Sequence, residues 1–157
     1  EKAAKEYEGI WAEKGNKIIA VIERVSGLKF KEKIINAIIQ ENTSYSVPLQ
    51  LQANLSIDNK KRSLAHELCH RIAYGNNIEL NVTRNDQNWN LEVHKLVDLI
   101  LYDVYIGLYG EKFAKKSVEY EIRLWDGKGI SPYKIAWDWA LSMTKEERQK
   151  EFKKYLP

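Results

Sequence analysis

The chain is short of the residues that staple, hinge or interrupt a fold. It has one cysteine, Cys69, so no internal disulfide can form and a disulfide-stapled miniprotein is excluded. It has three prolines and no Gly/Ser/Pro-rich stretch or internal repeat, so nothing marks a linker, and we expect one domain over residues 1–157. No apolar run reaches membrane-spanning length without a charge, which excludes a helical membrane span. Neither sign of charge dominates. The 25 basic and 22 acidic residues leave a net charge of +3, too mild to imply a nucleic-acid partner. The first residue is Glu, not Met, as in a trimmed chain; a cytoplasmic setting is the first expectation and secretion the second. Histidine is the informative scarcity: only His66, His70 and His94 occur.

The composition, 44% hydrophobic and 30% charged, supports a packed core under a solvated surface and excludes a disordered chain. The apolar spacing of Tyr7, Ile10, Trp11, Ile18, Ile19, Val21, Ile22 and Val25 predicts an amphipathic helix over 3–25. Gly15-Asn16 is a candidate break in it and Ser26-Gly27 a stop. Residues 33–40, KIINAIIQ, read as a buried strand. From Tyr45 to Asp58 apolar and polar residues alternate, which predicts a strand with one face on a core; Pro48 lacks an N–H and places it at a sheet edge, with a bend near Asn54. A helix over 59–74 ends at a left-handed Gly75-Asn76 cap. Ile78, Leu80 and Val82 form a short strand or extended loop, and 84–90 a loop. The helix over 91–109 is apolar nearly all round, hence central. A helix over 111–125 stops at Asp126-Gly127; another starts at Ser131-Pro132; Thr144 and Glu147 form a capping box for a terminal helix. The expected class is α+β with a small sheet.

One motif carries chemistry. His66-Glu67-Leu68-Cys69-His70 fits HExxH. Residues four apart on a helix lie about 40° apart and one turn along, so both imidazoles point the same way and can grip one ion. Glu67 lies on the flank of that face, placed to take a proton from a metal-activated water. Leu64, Ala65, Leu68 and Ile72 fall on the opposite side and bind the helix to the core. A hydrolytic zinc site takes three protein ligands and a water. His94, in the first turn of the central helix, is the candidate third ligand. Asp98 and Tyr105 share its stripe: Asp98 is placed to accept a hydrogen bond from the ligand histidine, Tyr105 to donate to an oxyanion. Glu92 is the rival third ligand, but about 160° from His94 on a regular helix, so both cannot face the metal.

The motif, preceded by an edge-type strand and followed by a ligand-bearing helix, resembles the zincin metallopeptidases, and among them small gluzincin-like members. The likeness covers residues 47–109. It implies a zincin-like sheet whose edge strand packs on the HExxH helix, one Zn2+ ion, hydrolysis of a peptide or protein substrate, and that substrate laid antiparallel along the strand, with Gln50 and Gln52 on the substrate side. Gluzincins usually supply Glu as third ligand with a carboxylate four residues on; here the pair at that spacing is His94 and Asp98. SprT-like proteins are a precedent for three histidines, yet their zinc ribbon has no counterpart in a chain with one cysteine. No Met-turn and no HExxHxxGxxH occurs.

The bland alternatives stand beside this. Cys69 reads as a small buried hydrophobe. Lys60, Lys61 and Arg62 read as a solvated rim, or as a site for acidic groups. Arg71 is a weak oxyanion-donor candidate, and Trp125, Trp137 and Trp139 are packing anchors. Two other functional classes remain: a silent or latent zinc-binding regulatory module, and a metal-free interaction domain in which the motif is incidental.

Overall fold

The computed structural model describes residues 1–125, 127 and 129–157. The described residues contain six helices and two strands, an α+β composition that is mostly helical. They gather into two compact units, Glu1–Asn76 and Asn77–Pro157.

The first unit opens with α1 (Lys2–Ser26), whose buried residues Tyr7, Ile10, Ile18, Val21 and Ile22 follow the three-and-four spacing of one helical face. The expected break at Gly15-Asn16 does not occur. Gly15 is buried under the indole of Trp11, one turn earlier, and a Cβ there would come within 2.8 Å of the ring. The glycine makes room for a side chain on an unbroken helix. Gly27 ends α1 in the left-handed conformation, φ 73°, with its N–H on Glu23 O.

Strands β1 (Ala37–Gln40) and β2 (Leu49–Gln52) pair in parallel, Ala37 opposite Leu49 through Gln40 opposite Gln52. Parallel strands ordinarily need a dozen or more connecting residues; residues 41–48 suffice because they pass along the far side of β2. There Tyr45 exchanges both backbone hydrogen bonds with Gln50, and the chain turns back through 46–48. The alternation over 45–58 is therefore divided among a bridge, a turn, a four-residue strand and the approach to a helix, and β2 is flanked on both sides instead of forming a free edge. Leu49 and Leu51 point into the core. The strand expected to be buried, β1, is the exposed one: Ile34 and Ile38 are 79% and 53% exposed. The helix α2 (Ile57–Gly75) packs on β2, which leaves β1 as the outer strand.

Ser56 caps α2 by accepting from Asn59 N. The left-handed residue beyond its end is Asn77, φ 56°, not Gly75 or Asn76, because the helix continues through Gly75. Lys60 and Arg62 are not a solvated rim. Lys60 is 2% exposed and donates to Glu6 Oε2 at 2.7 Å and Leu55 O at 2.8 Å, and Arg62 is buried and donates to Asn59 Oδ1. Tyr7 adds a hydrogen bond to Gln52 O, 2.9 Å, so α1 is tied to both β2 and α2.

In the second unit, residues 78–82 form no strand and continue as loop to α3 (Trp89–Tyr109). This helix is the core: Leu99, Ile100, Leu101, Val104 and Tyr105 are fully buried, and α4 (Glu111–Arg123), α5 (Pro132–Leu141) and α6 (Lys145–Lys153) all pack on it. Gly110 ends α3 with φ 87°. The expected stop of α4 at Asp126 falls outside the described residues; the helix itself ends at Arg123. Ser131 accepts from Lys134 N with Pro132 in the first turn of α5, and the Thr144–Glu147 capping box opens α6. Asp103 and Arg148, both buried, join α3 to α6 by a two-pronged ion pair at 3.0 Å. Trp137 is fully buried, whereas Trp125 and Trp139 are half-buried.

Candidate metal centre

The two histidines of the motif stand on one face of α2, four residues apart. Leu64, Ala65, Leu68, Cys69 and Ile72 fill the other face and are buried, so hydrophobic packing sets the roll of the helix and with it the direction of both imidazoles. Cys69 is a core residue, as its small apolar character implies. The Nε2 atoms of His66 and His70 lie 2.9 Å apart, with ring centroids 4.7 Å apart. Two lone pairs that close repel, and a proton or a cation shared between them relieves the repulsion. Both rings are half-buried, and Glu67, the next residue round the helix, is buried.

His94 is buried in the first turns of α3. Its Nδ1 lies 2.7 Å from Asn90 O. A carbonyl only accepts, so Nδ1 carries a proton, and in the neutral ring Nε2 is then the nitrogen that presents a lone pair. This is how a ligand histidine is held in its tautomer, with a backbone carbonyl in the orienting role expected of Asp98. The ring of Tyr133, from the first turn of α5, stands nearly perpendicular to the imidazole, at 76° and 4.6 Å between centroids. His66, His70 and His94 form a group whose ligand nitrogens all lie within 4.8 Å of one another. Such a group can hold a metal ion. Three neutral imidazoles suit zinc, and also copper, nickel or iron, so the donor set identifies a metal class and not one element.

Other expected site residues have different work. Asp98 does not serve His94: it is fully buried and neither oxygen has a hydrogen-bond partner among the described residues. Burial, and then the nearby charge of Glu121, raise its carboxyl well above the usual range. Tyr105 is also fully buried and donates to Glu121 Oε1 at 2.9 Å, while Trp137 Nε1 donates to Glu121 Oε2 at 3.0 Å. A phenol committed to the helical core is no oxyanion donor. Glu92 pairs with Lys95 at 3.0 Å and is not in the histidine group. Arg71 grips Glu32 through Nε and a second nitrogen, at 2.7 and 2.5 Å, and donates to Ser46 O, which holds the Glu32 carboxyl below the usual range.

The edge expected to receive a substrate is occupied at Gln50 and Gln52. Gln50 spends its N–H and C=O on Tyr45. Gln52 N–H donates to Ser44 Oγ at 2.9 Å, and Gln52 O accepts from Tyr7. Two neighbours of His94 were not legible in the sequence. The Asn90 carbonyl is backbone and leaves no mark in residue identity. Tyr133 lies 39 positions from His94, and its only signal is its place in the Ser131-Pro132 helix start.

No family model, no curated protein and no solved structure matches the chain. Among the described residues no helix is long and apolar enough to cross a membrane.

Proposed function

We propose that the chain is a metal-dependent hydrolase of peptide bonds, of zincin type, in which His66, His70 and His94 hold one divalent cation, zinc in the first instance. The observation that carries this reading is the gathering of three imidazole nitrogens within 4.8 Å, two of them from an HExxH helix. The fixed tautomer of His94 and the packing of α2 against β2 support it further. When bound, the cation supplies Lewis-acid polarisation of a carbonyl and lowers the pKa of a water. Glu67 is the general base: it accepts the proton of the attacking water and returns it to the leaving amine. Neither Tyr105 nor Arg71 is assigned the oxyanion, since each is committed elsewhere.

A second reading, a metal-binding module without turnover, is favoured by the occupied edge at Gln50 and Gln52, which denies a substrate the strand pairing expected there. Metal analysis and a fluorogenic peptide pool, applied to wild type and Glu67→Gln, separate the two. Hydrolysis by wild type, abolished in a variant that retains the metal, is the expected result. Metal without turnover in either protein establishes the second reading, and absence of metal in wild type refutes both.

A further inference from the structure

We propose that Tyr133 is a positioning residue for His94, its ring holding the imidazole in the orientation that presents Nε2 to a cation; this rests on the metal-site reading above. A histidine on a helix has few χ1 choices, but its χ2 well is broad. The hydrogen bond from Nδ1 to Asn90 O selects one face of the ring and one tautomer. That hydrogen bond lies near the ring plane and does not by itself fix the tilt of the ring. The Tyr133 ring, 4.6 Å away and at 76°, packs against the imidazole and restricts that tilt, in the near-perpendicular geometry that aromatic pairs prefer.

Tyr133 is itself well placed for this. Ser131 caps α5 and Pro132 sets its first turn, so the backbone at Tyr133 is stiff on one side. Ala136, Trp137 and Ala140 are fully buried where α5 packs on α3, the helix that carries His94. The two rings are therefore brought together by two helices that pack on each other through buried side chains. The contact with His94 is made by the ring, so the ring is the part assigned the role.

Zinc affinity, measured by competition with a chromophoric chelator, tests this on wild type, Tyr133→Phe, Tyr133→Leu, Tyr133→Ala, His94→Ala and the Tyr133→Ala/His94→Ala double variant. Tyr133→Phe is expected to bind within twofold of wild type, and Tyr133→Leu and Tyr133→Ala roughly tenfold more weakly, the lower range for residues that orient a ligand. In the His94→Ala background the Tyr133 substitution is expected to cost nothing more. In metal-free protein, ring 15N shifts of His94 should report one Nδ1–H tautomer for wild type and Tyr133→Phe, and a mixture for Tyr133→Leu. Undiminished affinity in Tyr133→Leu, weak binding by Tyr133→Phe, or equal losses with and without His94 would each overturn the assignment. If wild type binds no zinc, the metal reading fails, and the tautomer measurement alone decides whether Tyr133 orders the ring.

Discussion

The most exacting consequence concerns Asp98. Its carboxyl is fully buried, neither oxygen has a hydrogen-bond partner among the described residues, and the charge of Glu121 lies nearby. Both effects favour the neutral acid in the folded state, so its folded pKa exceeds its unfolded value of about 3.9. The unfolded chain then binds fewer protons than the folded one, and stability falls as pH rises. Below about pH 4 the carboxyl is neutral in both states and the effect is absent; above that it grows by about 1.4 kcal/mol per pH unit while the folded form keeps its proton. Asp98→Asn removes the titration and keeps the shape. As pH rises above about 4 the variant should gain steadily on wild type, by up to about 1.4 kcal/mol per pH unit for as long as the folded acid keeps its proton. Urea unfolding at each pH, with chelator present so that no metal contributes, measures it. Tryptophan fluorescence is a suitable probe, since Trp89, Trp125, Trp137 and Trp139 all lie in the second unit. Parallel pH dependences for the two proteins, or a wild type that gains stability on the variant as pH rises, would refute the reasoning.

Three further outcomes are expected. Asp103→Ala leaves the Arg148 guanidinium buried beside an absent partner and should cost about 3–5 kcal/mol in chemical denaturation, whereas Asp103→Leu/Arg148→Met should recover most of it. Gly27→Ala forces a side chain into the left-handed region at φ 73° and should lower stability by about 1–2 kcal/mol. Zinc at a hundredfold excess over its dissociation constant should stabilise wild type by about 2.7 kcal/mol, reversed by chelator, and His70→Ala should show no such gain.

What was legible before folding follows from the range of the interactions. The HExxH face of α2, the amphipathic α1, the greasy α3, the Ser131-Pro132 start and the Thr144–Glu147 capping box all depend on residues within one or two turns of each other. The strands are less legible, because alternation over 45–58 is equally compatible with a turn, a bridge and a helix cap, and only hydrogen bonding to Tyr45, Ser44 and Tyr7 separates them. Gly15 illustrates the same limit: a glycine that weakens a helix by propensity is retained by the indole above it.

The site divides in the same way. Residue order alone determined that His66 and His70 face one direction with Glu67 at their flank, because a helix repeats every 3.6 residues wherever it lies. It also put His94, Asp98 and Tyr105 on one stripe of α3. Only the tertiary structure decided what each member of that stripe does. His94 joins the histidine group and takes its tautomer from a carbonyl, whereas Asp98 and Tyr105 enter the helical core beside Glu121. A helix face specifies direction, but the chemistry at its end depends on the residues other segments place opposite it, and those are remote in sequence.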